Sequence, residues 1–396
     1  MVWIALAGVV ALFGVATLAN DVGALWGARL KMQTAADAAA LAAATSLLSG
    51  GLGDYNTEAQ AAATSNGFTD GEPTPTDSNL VTVIVHNPPV TGNYTQKNMA
   101  VEVDISQNQP GYFMRVLGLS SVPVSVRAVA SSVSASGCIY ATNPSSSTGF
   151  LANSGAHITS TCGLLVNSTG SSALSVDSGA HISAGSVGVV GNAMINSGAH
   201  VSPTPVSGIA VFGDPLGGLA TPATSGSCTT LQPVNSGNTA NLSPGYYCGL
   251  NANSGSTVNL AAGNYSFDGS VNIDSGSSLN GTGVMLYFQS GTIQINSGAR
   301  VDLSAPTSGT YSGILFFQDR QDSTPPNLDS GAQETLTGAL YFPDATITLN
   351  SGNWANVYSI LVAANIVVDS GAKLNVNSDY SSLANGSPIQ RAALVE

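Results

Sequence analysis

Charge is scarce in this chain, and basic charge is scarcest. Only 8% of its 396 residues are charged, against about a quarter in an average soluble protein. Nine Lys and Arg stand against 22 Asp and Glu, for a net charge of −13. With no basic stripe to neutralise phosphates, nucleic acid is excluded as a partner. Cysteine is nearly absent too: Cys138, Cys162, Cys228 and Cys248 are the only four, and none sits in a CxxC or CxxH pair. That argues against a zinc site and for an exported chain in which disulfides persist. No proline occurs before Pro73, and no Lys or Arg before Arg29. Disorder is excluded as well, because 43% of residues are hydrophobic and many alternate with polar ones, as packed β-structure requires.

What is present at the start is an uncharged run, "MVWIALAGVVALFGVATLA", over residues 1–19. Its length is about that of a bilayer-spanning helix. A secretory signal fits poorly, since no basic residue leads the run and its apolar core is too long. "DVGALWGARLKMQTAADAAALAAATSLL" continues in strong helix formers to Leu48, where Ser49-Gly50-Gly51 supplies a stop. One helix of about 48 residues, roughly 70 Å long, is expected. Gly8, Gly14, Gly23 and Gly27 let helix backbones approach closely, Gly23-x-x-x-Gly27 being a short packing motif. Asp21 and Arg29 lie where the apolar run ends. If they are buried between subunits, each needs a charged or hydrogen-bonding partner, expected on another chain. The alternative reading of this segment is a plain membrane anchor.

Residues 52–135 change character. "DYNTEAQAAATSNG" reads as a short helix capped by Gly67. "LVTVIVH" (80–86), "MAVEVDIS" (99–106) and "VPVSVRAVASSV" (122–133) alternate as half-buried strands, with one helical turn in "GYFMRVLG" (111–118). Nothing in this α+β segment forms a catalytic constellation.

The rest of the chain repeats one phrase. Asn or Asp followed by Ser-Gly begins at Asn153, Asp177, Asn196, Asn235, Asn253, Asp274, Asn296, Asp329, Asn350 and Asp369. The intervals are 18 to 24 residues, except one of 39 and one of 33. The first is close to two periods; the second suits one coil with an insertion, or an irregular pair. A period near 20 marks a solenoid, and hydrophobic residues on either side of the triplet (Val176 and Ile182, Ile295 and Val301) make it a strand–turn–strand corner. A parallel β-helix is expected. The Asn or Asp side chain can bond its own backbone two residues on, and Gly supplies positive φ. With coils about 4.8 Å apart, the corner residues would also form a ladder.

Many β-helices are polysaccharide-cleaving enzymes, which need clustered acids and basic residues to hold uronates. From residue 136 onward the only basic residues are Arg300, Arg320, Lys373 and Arg391. Asp319-Arg320-Gln321-Asp322 is the one dense polar cluster and reads as a loop held by a salt bridge rather than a catalytic or ion site. His157, His181 and His200 recur at one position of the repeat and are expected to point outward as a ladder, without binding metal. No catalytic residue, metal or cofactor is expected. Four cysteines allow three pairings. Loops of 24 and 20 residues, near one coil, favour Cys138–Cys162 and Cys228–Cys248 on adjacent rungs, the first fastening the small domain to the first coil.

"DVGALWGARLKMQTAADAAALAAA" resembles the N-terminal segment of the TadE/TadG-like proteins of tight-adherence (Flp) pilus systems. The similarity continues through "NGFTDG", "VEVDISQNQPGYFMRVLGLSSVPVSVRAVASSV" and "GCIY", and returns at "GILFFQDR" and "DYSSLANGSPIQRAALVE". One departure concerns charge: pilins carry a glutamate five residues into the processed chain, and if Met1 is that terminus this sequence has Ala5 there, so that the charge pairing is absent or falls to Asp21. The fold expected is mainly β: a long apolar helix (1–49), a small α+β pilin-like domain (50–135), a parallel β-helix (136–382) and a tail (383–396). The resemblance implies a non-enzymatic subunit of an extracellular filament, with copies of itself as partners. Before assembly its partners would be a prepilin peptidase, secretion machinery and the inner membrane. A membrane-anchored minor pilin or adhesin is the alternative, and a β-helix carbohydrate-active enzyme a more distant one.

Overall fold

The structure, a computed structural model, describes residues 2–48, 54–73, 80–134, 137–328, 333–350, 353–354, 359–384 and 386–396; the side chains of residues 2–18 fall outside that description. The chain forms two compact units, residues 1–133 with 390–396, and residues 134–389.

In the first unit, helix α1 runs unbroken from Val2 to Leu48. Its second half buries Met32, Ala35, Ala36, Ala39, Ala40, Ala43 and Ala44, a stripe at helical spacing. Alanine along this stripe brings α1 close to Ala59 and Ala63 of α2 (Tyr55–Ser65) and to the valines of a sheet. Asp54 caps α2 by accepting from the Asn56 N–H at 3.0 Å, and Gly67 ends it at φ +89°. The sheet is antiparallel through β1 (Thr82–His86), β2 (Ala100–Pro110) and β3 (Ser121–Ser134). Residues 390–394, read from sequence as part of a tail, form a fourth strand beside β3, with Ala392 against the core.

The second unit is a parallel β-helix of about ten three-sided coils. We number them in chain order: coils 1 to 3 occupy residues 137–202, and coils 4 to 10 residues 229–376. Their stacking order differs from their chain order. Coil 10 pairs with coil 1 (Leu361 with Ile139, Ile366 with Phe150, Lys373 with His157). Coil 1 pairs with coil 2, and coil 2 with coil 3. The stack therefore reads 4 to 10 and then 1 to 3. The chain enters the solenoid at coil 1, winds to one end, crosses to the other, and winds back until it meets its own beginning.

Residues 203–228 make that crossing. The 39-residue interval is thus a return strap and not two coils; the 33-residue interval is one coil with insertions, containing Ile314–Gln318 and Asn327–Leu328. The strap passes the coils in stack order. Ile209 lies against Gly188 of coil 3, where a Cβ would sit 3.0 Å from it. Phe212 donates its N–H to Asn167 of coil 2 at 3.1 Å and packs edge-on against Tyr140 of coil 1. Asp214 accepts from the Tyr341 hydroxyl of coil 9.

Arg320, in coil 8, then fastens the strap. It donates to the carbonyls of Leu216 and Leu219 at 2.9 and 2.8 Å and to Thr221 Oγ1 at 3.0 Å. It also reaches Tyr341 Oη at 2.9 Å, and Asp214 lies 3.7 Å from its Nε. The salt bridge expected in the Asp319–Asp322 cluster is therefore made to the strap. Cys228–Cys248 ties the end of the strap to coil 5, and Cys138–Cys162 ties coil 1 to coil 2, at Cα separations of 4.9 and 5.7 Å. Cys138 belongs to the solenoid strand Gly137–Ala141, so this bond joins coil to coil and does not fasten the small domain.

Each described corner is a turn closed by its own backbone: Ala156 N–H donates to the Asn153 carbonyl at 2.9 Å, with Gly155 at φ +77° in the third position. The expected bond from the Asn side chain to its own turn is replaced by bonds along the axis. Asn153 Nδ2 donates to Asp369 at 2.8 Å, Asn196 to Asp177 at 2.9 Å, Asn296 to Asp274 at 3.0 Å and Asn253 to Asn235 at 2.9 Å. Asp329 lies outside the described residues. In stack order, Asp369, Asn153, Asp177 and Asn196 alternate, so each aspartate has an amide neighbour and none a carboxylate.

Asn153→Asp would set carboxylates at 369, 153 and 177 on consecutive coils and delete an amide donor. We expect a loss of about 1–2 kcal/mol in urea unfolding. Asn235→Asp keeps an acceptor for Asn253 and should be near neutral; equal effects of the two changes would contradict the ladder. Arg320→Met should cost about 2–3 kcal/mol, through lost charged hydrogen bonds, and make residues 203–228 the first site cut in limited proteolysis.

Alkali tests the same latch. Burial first, then the carboxylates of Asp214 and Asp319, push the phenols of Tyr341 and Tyr287 well up, and burial carries Tyr265 up to about 12. All three stay protonated in the fold where the unfolded chain ionises. The stability they give is complete below about pH 10 and drains away above it. A melting temperature unchanged between about pH 9 and about pH 11 would contradict this.

Candidate functional site

Among the described residues only two charged side chains are buried, Asp21 and Glu102, each 1% exposed, and both lie in the first unit. Asp21 Oδ2 accepts the N–H groups of Phe113 and Met114, both at 2.8 Å. It thus caps the single 3₁₀ turn Met114–Leu117 from the side and anchors that turn to α1. Sequence reasoning expects a partner on another chain; the structure supplies one within the subunit, because the turn brings two free N–H groups to the helix. Arg29 is exposed. Among the described residues Gly23 and Gly27 border open space, with nothing within 4 Å of a Cβ built on either. Gly8 and Gly14 belong to the segment whose side-chain surroundings are not described. Val22, Trp26 and Leu30, one helical stripe, are 61%, 64% and 55% exposed. Among the residues whose side chains are described, which leave out residues 2–18, no helix is long and apolar enough to cross a membrane.

Glu102 centres a polar network on the sheet face turned away from α1. Its Oε2 accepts from Arg127 Nε and Nη2 at 2.9 and 2.8 Å. Arg127 Nη1 reaches Glu396 at 2.9 Å and Nη2 the Thr91 carbonyl at 2.6 Å, while Asn93 donates its N–H to Glu396 at 2.8 Å. Burial pulls the Glu102 carboxyl upward, but the hydrogen bonds and charge of Arg127 outweigh it and leave it lowered. The Asn93 N–H and then Arg127 lower Glu396. Asp104, two residues along the strand, goes the other way: burial and then the charge of Glu102 push it up. His86 faces Glu102 across the hairpin. These residues were not singled out from sequence. The available signal was the alternation in "VEVDIS", which puts both acids on one strand face.

In the solenoid, His157, His181 and His200 stack in register on exposed strand positions. Their ring centroids are 5.0 Å apart, with planes 2° and 13° from parallel. Lys373 of coil 10 continues the column.

Residues 1–46 match the family model described as Flp pilus-assembly TadE/G-like, and residues 27–130 match one described as Tad-like Flp pilus-assembly. No curated protein and no solved structure matches the chain. The matched span covers α1, with the buried Asp21 and the packed alanine stripe, and the strands β1 and β2 with the buried Glu102. Over residues 1–130 the chain is thus similar to the TadE/TadG-like proteins of Flp pilus assembly, and a parallel β-helix continues it.

Proposed function

We propose that the chain is a non-enzymatic structural subunit of an extracellular filament of the tight-adherence type, joined to copies of itself through α1 and carrying the β-helix as its outward part. The observation that carries this reading is the open face of α1. Among the described residues Gly23 and Gly27 have no close neighbour, although Gly in a helix costs about 1 kcal/mol relative to Ala. The packing within the subunit does not account for them; a second helix crossing at this face would. The exposed stripe of Val22, Trp26 and Leu30 adjoins it. Before assembly the apolar segment of residues 1–19 holds the subunit in the inner membrane, where processing and secretion partners meet it.

The size of the solenoid favours a second reading. Residues 134–389 are the larger part of the chain, and a subunit so large suits a sparse minor pilin or adhesin as well as a repeating one.

Gly23→Leu with Gly27→Leu separates helix packing from simple anchoring. Isolated subunits should melt at or slightly above the parent temperature, because both changes raise helix propensity. Surface fibres seen by electron microscopy should disappear while the protein accumulates in the membrane fraction. Undiminished fibres would remove the helix-core reading.

A further inference from the structure

The face of the sheet opposite α1 brings together three groups with metal-binding chemistry. Antiparallel pairing sets His86 across from Glu102, with Asp104 two residues further along β2. One ligand atom from each lies within 4.8 Å of the other two. Glu102 is 1% exposed, and its Oε2 is committed to Arg127. His86 and Asp104 are half-buried.

Three carboxylates, those of Glu102, Asp104 and Glu396, gather around one guanidinium, that of Arg127. Arg127 is shared between Glu102 and Glu396. Among the described residues Asp104 forms no salt bridge; it is hydrogen-bonded to the Glu102 carboxyl, with His86 and Arg127 close enough for their charges to act on it.

We propose that His86, Glu102 and Asp104 bind one divalent transition-metal ion of the zinc or manganese class. One imidazole with two carboxylates suits these ions, whereas calcium takes oxygen ligands alone. Ligands bound at about 2.0–2.2 Å to a tetrahedral ion lie roughly 3.5 Å apart, so small side-chain rotations close the site. Arg127 keeps its bond to Glu102 Oε2, which positions that carboxylate and leaves Oε1 for the ion. The half-buried side admits water as the remaining ligand. Bound there, the ion crosslinks β1 to β2 and adds positive charge beside the carboxylates of Glu102 and Asp104.

The test uses the full chain carrying His157→Gln, His181→Gln and His200→Gln, so that ions held by the solenoid column do not contribute. After chelator treatment it is titrated with ZnCl2 and, separately, MnCl2 by calorimetry, with metal analysis and thermal melting alongside. The expected result is one ion per chain and a raised melting temperature. Asp104→Asn and His86→Gln should each weaken binding at least tenfold and abolish the thermal shift. Without metal, Asp104→Asn should melt at or above its parent, since it removes a charge that Glu102 repels; this keeps loss of a ligand distinct from loss of fold. No stoichiometric ion in the parent chain, or unchanged binding in both single variants, overturns the site.

Discussion

Ile366, Val367 and Val368 of coil 10 pair with Phe150, Leu151 and Ala152 of coil 1, and the rest of the solenoid depends on this seam. A β-helix coil can bury its inward residues only against the coils above and below it. Coils 1 to 3 alone would form a short stack with two open ends. Joined to coil 10, they extend one core that runs from Leu250 through Phe316 to Val189. The seam closes contacts between residues more than 200 positions apart, so its formation carries a loop-closure cost that stacking of sequential coils avoids. The strap and the two disulfides act where this topology is weakest. Cys138–Cys162 holds the coil at the seam to its neighbour, Cys228–Cys248 holds the far end, and Arg320 fixes the strap between them.

The repeat itself was legible in the sequence because the corner has a strict local requirement. A turn with positive φ at its third position needs Gly, and Gly155, Gly179, Gly237 and Gly255 all lie between +76° and +79°. That requirement acts on four residues at a time, so it announces each coil but says nothing of which coil lies on which. The stacking order depends on contacts distant in sequence. Its one trace is the 39-residue interval, which reads equally well as two periods until the strap is seen. The alternation of Asp and Asn is similar: in chain order it only separates the acids, whereas in stack order it sets Asn153 between Asp369 and Asp177.

The first unit divides along the same line. The helix, the cap at Gly67 and the strands follow from periodicity and turn residues, which are local. Its polar network joins Thr91, Glu102, Arg127 and Glu396 from four separate stretches, and only the antiparallel register brings them together. Asp21 shows how a correct local inference can take the wrong partner. A carboxylate at the end of an apolar run does need hydrogen bonds, but the donors came from a 3₁₀ turn more than 90 residues away.

Glycine does different work in the two units, and the difference bears on how the molecule functions. In the solenoid its presence is explained within the chain, by positive φ at the corners and by close approach at Gly188. In α1 neither reason holds: Gly23 and Gly27 are helical and face open space. Nothing among the described residues explains why a residue that weakens its own helix stands at these two positions, and that is the ground for the proposed contact with another chain. The buried alanines from Ala35 to Ala44 complete the contrast, for there small size is used up in packing against α2 and the sheet. Along one helix, small residues pack the subunit together toward its C-terminal end and border open space nearer its start.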